Sequence, residues 1–227
     1  MLPHKTTWLT LGVFLLAFLT TSSVAHAEAL INNTKGKDLD QKKWKVIEGF
    51  RSAKFGMNEK QLRQAITKDF NIPRSKFKLE VITTDGTSAL NISVPDLLPF
   101  GGIARIGYVM GYKSKKLMHV NVVWGLGPTK ARILQEITLL ANTLRQHFNK
   151  KKYQKESFAT NVKMSNNRVL VFRGQDEKGR MILLGLSSSK AAKDTAKKKA
   201  LSKIKLKLSY MASPYKADVF RATKGKL

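Results

Sequence analysis

Two stripes of helical periodicity, each followed by short segments in which apolar and polar residues alternate, constrain what this 227-residue chain can fold into. Helices place every third or fourth side chain on one face, whereas strands place every second, so a stretch with one period cannot serve as the other element. The first stripe is Leu62, Ala65, Ile66 and Phe70. Asn58 caps it, Gln61 closes a capping box three residues on, and Met57 and Leu62 have the spacing of a hydrophobic staple. The helix is predicted to end near Asp69, before Pro73.

From Lys76 the period changes to two. Phe77, Leu79 and Val81 alternate with Lys78, Glu80 and Ile82, and an Asp85-Gly86 turn leads to Leu90, Ile92 and Val94. Residues 103–112 and 116–124 form a second hairpin through Lys113-Ser114-Lys115. Gly127-Pro128 ends the sheet pattern and opens the second helix with proline at its first position. Its apolar stripe is Ile133, Leu134, Ile137, Leu140, Ala141, Leu144 and Phe148, and Lys150, Lys151 and Lys152 follow, opposing the negative end of the helix dipole. Strands are then expected over 158–164, 168–173 and 180–186, the last two joined through residues 176–179. After a lysine-rich stretch, Ile204, Leu206, Leu208 and Tyr210 point inward while Lys203, Lys205 and Lys207 point outward. The order α-ββββ-α-ββββ implies an α+β fold, an antiparallel sheet of hairpins with two helices on one face. Residues 44–227 are expected to make a single domain, with two fused halves, 44–127 and 128–227, as the alternative; no residue-level repeat links them.

The first 27 residues read as an export signal. His4 and Lys5 precede an apolar run from Trp8 to Leu19, and Val24-Ala25-His26-Ala27 has the small residues that suit cleavage after Ala27. That run is well short of the ~20 residues a helix needs to span a bilayer, and no later stretch is apolar enough to do so. Residues 28–43 are polar with no apolar period and read as a flexible leader, with order beginning at Trp44, Val46, Ile47, Phe50 and Phe55. A periplasmic or secreted location follows. There is no cysteine, so disulfides, lipid attachment through cysteine, thiol chemistry and cysteine zinc sites are excluded, and stability has to come from a buried core.

Charge bounds the function. With one of the 42 Lys and Arg residues and none of the 15 Asp and Glu residues lying in the leader, the mature chain carries a formal charge of +26. A field of that size concentrates anions at the surface with an attraction that salt weakens. The partners expected are anionic lipid, lipopolysaccharide, an acidic wall polymer or an acidic protein, with nucleic acid a weaker option because Tyr210 faces inward. From Lys190 to the carboxy terminus there are 12 Lys and Arg residues against two acids. Lys190, Lys193, Lys197, Lys198, Lys199, Lys203, Lys205 and Lys207 are the candidate anion-binding residues, and lysine in place of arginine suits diffuse attraction over bidentate recognition. Thr129 and Lys130 join them because they open the second helix, whose amides can take an anion. The Gly125-Leu126-Gly127-Pro128-Thr129-Lys130 run lacks the full P-loop arrangement, so nucleotide binding is rejected.

The connection over residues 95–102 holds three large apolar residues, Leu97, Leu98 and Phe100, and forms the candidate partner-binding site. The mature chain has only two histidines, His119 and His147, neither with Asp, Glu or His at ligand spacing. Asp176 and Glu177 fit a turn. No cofactor, metal site or catalytic constellation is expected.

The run Phe50-Arg51-Ser52-Ala53-Lys54-Phe55-Gly56-Met57, leading into Asn58-Glu59-Lys60-Gln61-Leu62, resembles a segment of uncharacterised exported proteins of Gram-negative bacteria. More loosely, a Gly56-Met57 lead into a helix followed by hairpins is similar to small envelope proteins of the outer-membrane assembly lipoprotein and β-lactamase-inhibitor-protein type. The resemblance implies an envelope location and a binding role. The function expected is therefore a non-catalytic exported protein that associates with an anionic envelope component through its lysine-rich face. The alternative is a protein-binding module for envelope assembly or enzyme inhibition that uses the 95–102 connection.

Overall fold

A computed structural model describes residues 42–125, 131–189 and 203–221, of which those from Lys43 onward belong to one compact unit. The leader peptide, Thr129, Lys130 and the lysines from Lys190 to Lys199 lie outside the described residues. A two-strand hairpin comes first, β1 (Gly49–Phe50) with β2 (Ala53–Lys54). Its turn holds Arg51 at φ 54. A Cβ on Gly49 would collide with the Ala53 carbonyl oxygen, so that close approach requires glycine.

Helix α1 (Glu59–Phe70) starts where the capping pattern places it: Asn58 Oδ1 accepts from the Gln61 N–H and Gln61 Oε1 accepts from the Asn58 N–H, each at 3.0 Å. It ends with Asn71 in the left-handed region, φ 50, ahead of Pro73. Because the Asn58 side chain serves a first-turn donor that has no helical acceptor, Asn58→Ala is expected to cost about 1 kcal/mol in a denaturant melt; no measurable loss would show the cap idle. A 3-10 turn (Arg74–Lys76) leads into β3 (Lys78–Val81), β4 (Ser88–Val94), β5 (Ala104–Met110) and β6 (Leu117–Trp124). Then come helix α2 (Ala131–Asn149), a second 3-10 turn (Lys155–Ser157), β7 (Ala159–Met164), β8 (Arg168–Gln175), β9 (Met181–Ser189) and β10 (Lys203–Met211).

The eight longer strands form one antiparallel sheet in the order β3-β4-β5-β6-β10-β9-β8-β7. The α+β class and the large antiparallel sheet agree with the expectation; the β1–β2 hairpin and the two 3-10 turns add to the expected element order. Strand order is symmetric about the β6–β10 pair, each flank being a four-strand meander preceded by a helix and a 3-10 turn.

One core cluster joins Leu62 and Ile66 of α1 and Ile137, Leu140, Leu144 and Phe148 of α2 to strand residues that include Ile106, Val122, Leu206 and Leu184. Both helices therefore cover the same face of the sheet. Two expectations need correction. Leu134 is exposed, because it lies one position, and so about 100°, beyond Ile133 on a stripe that continues through Ile137, Leu140 and Leu144. Leu79 and Val81 are exposed as well: β3 is an edge strand paired only with β4, and all four of its residues face solvent. Of the first apolar segment, Ile47 is buried, Trp44, Phe50 and Phe55 are half-buried, and Val46 is exposed.

Long-range polar contacts tie the first and last described segments to turns of the sheet. Asp176, 2 % exposed in the β8–β9 turn, accepts from the Ile47 N–H through Oδ2 and from the Lys178 and Arg180 N–H groups through Oδ1. The Arg180 guanidinium completes the cluster, each of its two contacts to Oδ2 being 2.8 Å. At the other end, the Asp218 carboxylate accepts from the Lys113 and Ser114 N–H groups of the β5–β6 turn, and these bonds hold its pKa below the usual range.

Candidate functional site

The face of the sheet opposite the helices carries the cationic residues of the central strands. Residues directly opposite each other across neighbouring strands share a face. One such row runs Ser93, Arg105, Val123, Lys207 and Gly185 across β4, β5, β6, β10 and β9. A second runs Lys205, Ser187 and Arg168, and a third Lys78, Asn91, Gly107, Asn121 and Ser209. Ile204, Leu206 and Leu208, each directly following a lysine of β10, are buried on the helix side. Lys203 lies in β10 opposite Ser189.

Arg105, Lys205, Lys207 and Arg168 are exposed, and no ion pair involving them occurs among the described residues. The carboxylate nearest in register is Glu80 on the edge strand, which accepts from the Asn91 amide. Burial of the Lys207 stem holds its ammonium below the ordinary lysine pKa. With strands ~4.8 Å apart and ~3.4 Å of rise per residue, Arg105, Lys207 and Lys205 are spaced ~7–12 Å from one another. That is a spread suited to several anionic groups in an array, not to one anion.

His119 sits in the next row of this face, between Val109 and Met211, and its Nε2 is buried without a partner. Desolvation, aided by the charge of Lys207, lowers its pKa from 6.5 to about 4. Since the unfolded chain then protonates first, stability is whole above pH 6.5, falls as pH drops towards 4, and levels off below that. We expect urea midpoints to record a loss of up to about 3 kcal/mol over that window, and His119→Gln to remove that part of the slope; an unchanged slope would place the imidazole in water.

On the helix side, a cleft of about 560 Å³ opens between α2, the 95–102 connection and the β1–β2 hairpin. Leu98, Trp124, Leu140, Leu144 and Leu208 form its apolar wall. The connection is held by bonds from the Asp96 N–H to the Gly102 carbonyl and from the Gly101 N–H to the Leu98 carbonyl, with positive φ at Asp96, Phe100 and Gly102. Gly101 presses on the Trp124 indole so closely that a Cβ there would lie 3.0 Å from Nε1. Leu97 and Leu98 turn inward and pack on the core, while Phe100 stands 70 % exposed; all three line the cleft.

The far end of the cleft is cationic. Arg51 and His147 belong to its lining, and Lys45, Lys150 and Lys151 lie close enough to His147 to add to the desolvation that lowers its pKa. Arg51 rests its guanidinium 4.8 Å from the centre of the Phe70 ring and donates to the Asp69 carbonyl; the Asp69 carboxylate is itself occupied by the Ser52 N–H. Tyr210, whose ring lies 5.5 Å from that of Phe50, marks this end of β10, while Leu206, opposite Trp124, marks the other, ~13 Å away.

Among the described residues no three His, Asp or Glu side chains come together, and no helix is long and apolar enough to cross a membrane. The sheet-face lysines were visible in the sequence as an alternating run. Arg105, Arg51 and His147 were missed as site residues, since they reach their places through strand pairing and helix packing. No family model, curated protein or solved structure matches this chain.

Proposed function

We propose that this chain is an exported, non-catalytic binding protein that docks on a phosphate-bearing lipid surface of the cell envelope through the helix-free face of its sheet. The observation that supports this reading is the shared orientation of Arg105, Lys205, Lys207 and Arg168 on a face whose central rows hold Ser and Asn and no carboxylate. A sheet is a stiff frame, so its cations meet a surface together and their attractions add without the ordering cost a loose tail would bear. The formal charge of +26 on the mature chain supplies the long-range attraction, and the close array supplies the docking orientation.

Export follows from the leader, and recovery of a chain beginning at Glu28 from the periplasmic or secreted fraction is its test; full-length protein confined to the cytosol would overturn it. Docking is tested by co-sedimentation with phosphatidylglycerol and phosphatidylcholine vesicles under a salt titration. Binding to the anionic vesicles alone, lost as the Debye length shrinks from ~10 Å at ~0.1 M salt to ~3 Å at ~1 M, is the expected result. Equal binding to both lipids, or indifference to salt, would remove the mechanism.

A further inference from the structure

Independently of the sheet face, we infer that the cleft beneath the 95–102 connection is a binding site for a single aliphatic chain ending in an anionic head group. Its size falls within the ~300–1,000 Å³ of pockets that hold small ligands. Its lining is mixed in a particular way: Leu98, Trp124, Leu140 and Leu144 make it mostly apolar, and Arg51 and His147 are its basic residues, Arg51 next to the Phe50 ring that meets Tyr210. Among the described residues no Asp or Glu lines it. An uncharged apolar molecule would leave the Arg51 end unmatched, and a cation would be repelled by Lys45, Lys150 and Lys151 around His147. Only an anionic amphiphile suits both ends.

A further feature points to an occupant. At the rim, Phe100 and Leu139 expose 70 % and 54 % of their surface to water, which a bound chain would cover. The head group would lie between Arg51 and His147, and the chain would run along α2 towards Leu98 and Trp124.

Calorimetric titration of the full chain with dodecanoate below its micelle concentration, with dodecyl maltoside as the uncharged control, tests the assignment. One saturable dodecanoate site is expected, with the maltoside bound at least about tenfold more weakly. Thr143→Trp, at an exposed position of α2 that lines the cleft, should weaken dodecanoate by about tenfold or more by filling the channel. Arg51→Asn keeps a residue suited to φ 54 and removes the cation; it should weaken dodecanoate about tenfold and leave the maltoside unchanged. Dodecyl phosphate and lysophosphatidylglycerol then separate a fatty acid source from a phospholipid source, the tighter ligand naming it. Absence of saturable binding, equal affinity for the charged and uncharged amphiphiles, or full affinity in Thr143→Trp with a wild-type melting profile would overturn the assignment. A groove that serves a protein segment would give the first of these results.

Discussion

Reversing three charges, Arg105→Glu, Lys205→Glu and Lys207→Glu, is expected to lower affinity for phosphatidylglycerol vesicles by more than about a hundredfold. Each basic residue near an anionic surface is worth ~1 kcal/mol, so removing three loses ~3 kcal/mol, or about a hundredfold, and the introduced carboxylates add repulsion. All three side chains are exposed, so the fold should survive, as an unchanged melting profile would show. The same number of reversals on α1, at Lys60, Arg63 and Lys68, leaves the sheet face intact and should cost far less. If both triples weakened binding equally, attraction would come from net charge alone and the face would have no special role.

The second large effect concerns stability. Asp176→Ala is expected to lose about 3–5 kcal/mol in urea unfolding, because it strands a partly buried Arg180 guanidinium and leaves the Ile47 N–H and two turn N–H groups without their acceptor. That carboxylate ties the segment before β1 to the β8–β9 turn across 129 positions of sequence. Asp176→Asn keeps one acceptor oxygen and should lose less. A cost below about 1 kcal/mol for the alanine variant would mean that the amino-terminal segment docks through apolar contacts alone.

Local signals were the legible part of the fold. The Asn58 and Gln61 capping box, the α2 stripe apart from Leu134, and the inward Ile204, Leu206 and Leu208 of β10 each depend on residues a few positions apart, and each is found where the pattern puts it. Turns were equally readable: Asp85 accepts from the Thr87 N–H, and Gly86 adopts φ 67, as an Asp-Gly turn requires. What alternation could not show was which strand would be an edge. Leu79 and Val81 have the pattern of a half-buried strand, yet the pairing of β6 with β10 leaves β3 at the margin, and that choice is made by contacts far apart in sequence. The segment from Phe50 to Met57, read as a lead into a helix, also holds most of the hairpin that sets Arg51 against the cleft.

The candidate sites divide in the same way. Alternating lysines on β10 were plain from sequence, whereas Arg105 joins them only through the register of β5 with β6 and of β6 with β10. Leu97, Leu98 and Phe100 stood out as apolar residues in a connection, but the cleft they help line draws on residues from Phe50 to Tyr210. No spacing rule brings such residues together. His147 reads as a helix-end histidine until the packing of α2 makes it part of the same lining as Arg51.

Lysine acetylation footprinting of the protein on phosphatidylglycerol vesicles, read residue by residue by mass spectrometry, tests the docking face most directly. Labelling of Lys205 and Lys207 should fall on vesicle binding while that of Lys60 and Lys68 on α1 stays as it is in solution. Protection spread evenly over all four, or confined to the lysines of α1, would contradict it.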